Sequence, residues 1–248
     1  GAAVSTLSGR RALVTGGGIR VGRVLALACA EAGMDVAVHF HTSAEPAERT
    51  AAECREHGVR AVALGADLGD VAGCRALVQG AEAALGGVDV LVNSASNFLH
   101  EPFDALTEDH FDAALAVNLK APTFLAQAVA PGMAERGWGR IVNLSDVAGL
   151  EPWPRFGPHS VAKAGVIMLT KVLAQALAPH VLVNAIAPGP VLMPEGSTPD
   201  QDARSAGKTV LGRLGNPRDV AGAMRYLLEA DYVTGHTLVV DGGRMVRA

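Results

Sequence analysis

The chain has 248 residues, 49% of them hydrophobic and 19% charged, which supports a buried core and excludes a disordered segment. A formal charge of −4 with scattered basic residues gives no footprint for nucleic acid or an anionic membrane. Three cysteines, Cys29, Cys54 and Cys74, lack metal-ligand and CxxC spacing, so neither a disulfide framework nor a metal site is expected. Gly, Pro or charge interrupts each apolar run before the ~18 residues that span a bilayer, and the first residues hold no hydrophobic signal core. A cytoplasmic, soluble protein is the expectation.

The first strand is expected at "RALVT" (11–15), and it runs into "TGGGIRVG" (15–22). Gly16 and its neighbouring glycines allow a tight turn and close approach of a pyrophosphate at the N-terminus of a helix expected over 20–32. The flanking residues Ile19, Arg20 and Val21 are candidate cofactor contacts. A second strand, "DVAVHF" (35–40), ends in "HFHTSAE", with no carboxylate where an NAD-binding unit carries Asp or Glu for the ribose. His41, Thr42 and Ser43, with Arg20, offer partners for a 2′-phosphate, so NADP(H) is favoured as cofactor. The same hydroxyls could equally cap the helix expected over 45–57.

Strands follow at "RAVAL" (60–64), "VDVLVN" (88–93), "RIVNLS" (140–145), "VLVNAIA" (181–187) and "TLVVD" (237–241). Helical stretches over 70–85, 108–136, 159–178 and 217–229 separate them. Near-continuous apolar strands suit a parallel sheet covered on both faces. The alternation therefore predicts one α/β domain over 1–248, a Rossmann-like doubly wound parallel sheet of about seven strands with helices on both faces. Residues 188–215, rich in Pro and Gly, read as an irregular substrate loop or lid at the sheet's ligand-binding edge.

In this order and spacing the residues resemble the short-chain dehydrogenase/reductase family over nearly the whole chain. Thr15, Gly16 and Gly22 match its Thr-Gly-x-x-x-Gly-x-Gly pattern, with Arg20 in place of the middle Gly. The resemblance makes Asp67 and Leu68 adenine contacts and "NSAS" (Asn93, Ser94, Ala95, Ser96) the turn after the fourth strand. It makes Asn118 the helix residue that holds a water in the proton relay. Pro188 and Gly189, with Val191 just beyond, become the turn beside the nicotinamide, and Lys163 the lysine that holds its ribose.

Four departures are similar to the pteridine reductases, which include the bacterial alternative dihydrofolate reductases. These are Arg20, the strand ending His-aromatic-His, Phe98 after "NSAS", and Asp146 where most members carry Ser. That similarity implies that Phe98 stacks a pterin ring, that Asp146 bonds its amino edge, and that Arg20 contacts cofactor phosphate and borders the substrate. Without the resemblance, Phe98 reads as a loop anchor and Asp146 as a turn cap.

In "FGPHSVAKAG" (156–165), His159 occupies the place where the family carries its acidic Tyr, four residues before Lys163. Imidazole is shorter than phenol, and beside the lysine's positive charge it is expected to stay neutral, a poor acid that still orients a substrate. Asn118, Asp146, His159 and Lys163 are therefore the candidate catalytic residues, and Arg20, Phe98, Asp146 and His159 the candidate substrate contacts. The expected function is NADPH-dependent hydride transfer to a pterin-like or other cyclic C=N or C=O compound. The alternatives are a catalytically impaired NADP(H)-binding sensor or structural homologue, and a generic biosynthetic ketoreductase. Two long, Ala-rich helices over 108–136 and 159–178 need cover beyond the sheet, and the resemblance implies a homotetramer, with a dimer next.

Overall fold

The computed structural model describes residues 6–100 and 102–247. Seven strands are present: β1 (Arg11–Val14), β2 (Asp35–Phe40), β3 (Ala61–Gly65), β4 (Val90–Asn93), β5 (Gly139–Leu144), β6 (Val181–Pro188) and β7 (Thr237–Val240). They form one parallel sheet in the order β3-β2-β1-β4-β5-β6-β7. The order reverses between β1 and β4, so the carboxyl ends of these two strands open a crevice for a ligand.

The strand sequences explain why both faces are covered. Along β1, Ala12 and Val14 enter one core while Leu13 enters the other; along β4, Val90 and Val92 face away from Leu91. All six are fully buried. The first core is closed by α1 (Arg20–Glu31), α2 (Ala44–Glu56) and α8 (Pro217–Glu229), the second by α3 (Val71–Leu85), α5 (Ala121–Glu135) and part of α6 (Gly157–Leu177). Burial of a Val or Leu side chain contributes roughly 1.5–3 kcal/mol, so continuous apolar strands favour this two-faced cover.

Three expectations need correction. The helix expected over 108–136 is divided: α4 (Glu108–Leu115) passes through a wider π turn, Ala116–Lys120, into α5. The irregular stretch 188–215 contains a helix, α7 (Pro199–Ala206), whose start is closed by a reciprocal pair of bonds between Thr198 and Gln201. A third expectation fails by composition. The segments Glu108–Glu135 and Gly157–Leu177 are long and apolar enough to cross a membrane, although α5 and α6 pack on the sheet.

At the far end of the sheet Asp89 is buried and accepts bonds from Arg11 Nε at 2.7 Å, Arg11 Nη2 at 2.7 Å and Arg136 Nε at 2.9 Å. Burial works to raise its pKa, but the two guanidinium groups prevail and hold the carboxyl below its ordinary range. The three cysteines are buried and unpaired, and burial pushes the Cys54 thiol to about 12 and Cys74 to about 11.

Candidate active site

The turn between β1 and α1 is held from three sides. Gly16 has φ +61°, and a Cβ there would meet the backbone of Ala95 at 3.0 Å. A Cβ on Gly22 would sit 2.0 Å from the Gly16 carbonyl oxygen, so this helix turn accepts only glycine. Thr15 Oγ1 accepts the Ser94 and Ala95 amides at 2.9 and 3.0 Å, tying β1 to the turn after β4. Buried His39 completes the frame: its Nδ1 accepts the Gly16 N–H at 3.0 Å, and its Nε2 lies 3.0 Å from the Ala66 carbonyl. That geometry requires a neutral ring with the proton on Nε2. Burial lowers the His39 pKa, against an opposing pull from the Ala66 carbonyl.

The first turn of α1 carries no acidic residue, and Ile19 at its N-cap makes no side-chain cap bond, so its amides and dipole are available to an anion. Arg20 follows at φ +51°, the one non-glycine residue with positive φ among the described residues. Ile19 and Arg20 are exposed and Val21 is half-buried. Beyond β2, His41 Nε2 lies 4.0 Å from Asp67 Oδ1, both well exposed, and Leu68 is buried beside them. Ser43 occupies the N-cap of α2 without a side-chain cap bond, so its hydroxyl is not spent on the helix. The glycine turn, the uncapped helix end and this rim fit an adenine dinucleotide.

At the other end of the crevice Asn118 lies in the π turn, fully buried. Its Nδ2 donates to Asn97 Oδ1 at 2.6 Å, and its Oδ1 accepts from Ser96 Oγ at 2.6 Å. The wider turn thus aims Asn118 at the loop after β4. Asn93 Nδ2 donates to Asn143 Oδ1 at 2.8 Å, which aligns β4 with β5.

Asp146 uses its two oxygens differently. Oδ1 accepts the Ala148 N–H at 2.8 Å and caps a short 3-10 turn, while Oδ2 lies 3.7 Å from His159 Nε2. The turn-cap reading of Asp146 is therefore correct for one oxygen and leaves the other facing the site. His159 is buried on the first turn of α6, and neither ring nitrogen has a hydrogen-bond partner among the described residues. Buried polar atoms without partners are uncommon, and their presence in a cleft fits a polar ligand. Lys163, one turn on, donates from Nζ to the Leu144 carbonyl at 2.8 Å. Its burial pushes its pKa down to about 8, while Asp146 pulls the other way. His159 thus has the Asp146 carboxylate 3.7 Å away, while the lysine is directed at the strand backbone.

Phe98 is 46% exposed and belongs to an aromatic wall that the sequence reading did not anticipate. Its ring stacks on Phe156 at 4.2 Å and 14°, and meets His159 edge-on at 4.8 Å and Trp153 edge-on at 6.3 Å. With six Phe, two Trp and two Tyr in the whole chain, three aromatic residues gathered beside His159 are a concentration that favours a flat ligand. "WPRF" (153–156) just ahead of His159 was the available signal.

The third side is formed after β6. Pro188 ends the strand, the Gly189 amide donates to the Val240 carbonyl at 2.9 Å, and Val191 is buried. A Cβ on Gly189 would lie 2.8 Å from Asp241, so this turn admits no side chain. Arg20 reaches across the crevice: Nη2 donates to the Met193 carbonyl at 3.1 Å and, more weakly, to Leu192 at 3.4 Å. It therefore couples the glycine turn to the loop that follows β6.

A doubly wound sheet with a glycine turn at its switch point, and a buried lysine one helical turn from a polar group in the cleft, defines a dinucleotide-dependent oxidoreductase domain. The family model described as enoyl-(acyl carrier protein) reductase matches residues 18–244. Nodulation protein G of Azospirillum brasilense is 39% identical over 242 residues, 96% of this chain and 98% of that protein. The 3beta-hydroxysteroid dehydrogenase 1 of Eggerthella lenta is 36% identical over 245 residues, 96% of this chain and 94% of that one. The crystal structure of FolM alternative dihydrofolate reductase 1 from Brucella canis, complexed with NADP, superposes with a TM-score of 0.92. It is 33% identical, with 98% of this chain and 96% of that chain covered. The chain belongs to the short-chain dehydrogenase/reductase family of oxidoreductases.

Proposed function

We propose that this protein is an NADPH-dependent reductase of a flat cyclic substrate bearing C=N or C=O, of the pterin type. The single observation that carries this reading is the pairing of Asp146 Oδ2 with His159 Nε2 at 3.7 Å beneath the Phe98–Phe156 stack. A carboxylate at that place suits the paired N–H donors of an aminopyrimidine edge, and an aromatic face suits its ring. When bound, the cofactor supplies the hydride. Gly16, Ile19, Arg20, Val21, Ser94 and Ala95 would hold its phosphates and Asp67 and Leu68 its adenine. His41, Thr42 and Ser43 would favour a 2′-phosphate, because no carboxylate stands there to repel it. Asn93, Lys163, Pro188, Gly189 and Val191 would hold the nicotinamide end.

His159 stands in the place of the family's tyrosine, and its contact with Asp146 is too long for a hydrogen bond in this state. Such contacts tighten when substrate is seated, so proton delivery is shared between the two. Asn118 fixes the loop that carries Phe98. The runner-up, a nucleotide-binding homologue without turnover, is favoured only by the His159 substitution.

Exposed Val161, Met168 and Val172 along one side of α6 support self-association, which we assign as a homotetramer. The buried free thiols suit the cytoplasm. The experiment that tests the function is NADPH oxidation followed with dihydropterins, dihydrofolate and cyclic ketones. Turnover of a pterin substrate, with NADPH bound at least tenfold more tightly than NADH, is expected. Preference for NADH, or turnover of open-chain ketones alone, would overturn it.

A further inference from the structure

Away from His159, a cavity of about 440 Å³ lies at the same carboxyl edge of the sheet, lined by Glu151, Gly207, Lys208, Arg244 and Arg247. It gathers residues from three places: the loop after β5, the end of α7, and the segment after β7. Three cations therefore face one carboxylate, in a chain whose net charge is −4.

The cations are not equivalent. Arg244 is spent within the protein: its Nε donates to Glu151 Oε1 at 2.8 Å, and its guanidinium lies 5.4 Å over the Trp153 ring. Glu151 Oε1 also accepts Trp153 Nε1 at 2.7 Å. Glu151 is thus neutralised by Arg244 and serves as a pin for the indole. Among the described residues Lys208 makes no ion pair, and the Arg247 side chain makes one bond, of 3.4 Å, to the Thr209 carbonyl. Two positive charges without an acidic partner among the described residues therefore line the cavity.

Trp153 connects this cavity with the aromatic wall beside His159. Its N–H points to Glu151, and its ring meets Phe98 and Phe156 edge-on, each at 6.3 Å. A substrate whose ring lay beside Phe98 would pass its far end over Trp153 toward Lys208 and Arg247. We propose that Lys208 and Arg247 form a subsite for a doubly charged anion, and that this anion is the acidic tail of the substrate. The tail assignment rests on the function proposed above. The anion subsite itself stands on the cavity and its charges.

The test has two arms on one double variant, Lys208→Ala with Arg247→Ala, in residues whose exposure leaves the core intact. In the first, inorganic phosphate is titrated calorimetrically, at constant ionic strength, into protein saturated with NADPH. One phosphate per chain, weakened at least tenfold in the double variant with NADPH affinity unchanged, is expected. Equal phosphate binding by parent and variant, or none by either, overturns the subsite. In the second arm, KM is measured with dihydrofolate and with dihydrobiopterin, which has no acidic tail. A tenfold rise for dihydrofolate alone supports the tail assignment; an equal rise for both overturns it in favour of a positioning role. Loss of phosphate binding with neither KM changed supports the anion subsite and identifies free phosphate as its ligand. Should no pterin be reduced at all, the function proposed above fails while the first arm still decides the subsite.

Discussion

Asp146 Oδ2 lies 3.7 Å from His159 Nε2, while the other oxygen of the same carboxylate is bound to the Ala148 amide at 2.8 Å. One oxygen fixes the group and the other is left to work, an economical way to hold a charge in a cleft. Asp146→Asn is expected to lower kcat by about 10²- to 10⁴-fold, the usual cost of losing an acid–base group. His159→Ala should cost less, because the carboxylate remains. Steady-state kinetics on both variants checks the order, and a larger loss for His159→Ala would assign the proton to the imidazole alone.

His39 links pH to the cofactor turn. Its Nδ1 must be unprotonated to accept the Gly16 amide, and burial already holds its pKa below the ordinary value of 6.5. As pH falls below about 6.5 the unfolded chain takes up the proton first, so stability is full above that pH and declines beneath it. His39→Leu should flatten this decline between pH 6.5 and 5. It should also weaken NADPH about tenfold, a loss of about 1.4 kcal/mol. Thermal melts across pH, with a cofactor titration, test both; an unchanged slope would place the sensitive group elsewhere.

Lys163 is a buried charge kept at the expense of stability. Its pKa falls from 10.5 to about 8 because burial disfavours the ammonium, so below pH 8 the folded state carries the full penalty. As pH rises from 8 to 10.5 the unfolded chain holds the extra proton and loses it last, so this penalty is relieved. A shift of this size is worth about 3 kcal/mol at most, and the lost bond to Leu144 returns about 1. Lys163→Met should therefore raise the melting temperature of cofactor-free protein at pH 7 while abolishing turnover. A lower melting temperature would show that the Leu144 bond outweighs the buried charge.

At the opposite end of the sheet the balance reverses. Asp89→Ala leaves Arg11 and Arg136 without their buried acceptor and is expected to cost about 3–5 kcal/mol. For a chain of this length that is a fall in melting temperature of roughly 10 °C. Because the folded pKa of Asp89 is depressed, its contribution is present above the ordinary carboxylate pKa and disappears as pH falls through the folded value. Calorimetric melts should show the fall, and KM in the surviving folded fraction should not change.

The strands were legible because burial on both faces demands uninterrupted β-branched runs such as "DVAVHF" and "VLVNAIA". The glycine turn, Asn118 and Lys163 were legible because their spacing along the chain survives folding. α7 was missed because Pro and Gly dominate 188–215, although Thr198 and Gln201 already carried the spacing of a reciprocal cap. The π turn was not legible: "AVNLK" is ordinary helical sequence, and only the bonds from Asn118 to Ser96 and Asn97 account for its width. Phe156 and Trp153 reach Phe98 across more than fifty residues, a tertiary relationship that no local period reports. His39 reads as one more position in a buried strand, and only the fold shows its ring holding Gly16.

The most direct test of the catalytic reading compares single-turnover NADPH oxidation by the parent protein and by His159→Tyr, with dihydropterin substrates at saturating concentration. A parent protein that turns over, with His159→Tyr equal or faster, is the predicted result if Asp146 shares the proton as proposed, since phenol extends the reach. A parent inert toward every substrate beside a robustly active His159→Tyr would contradict it and show a decayed site.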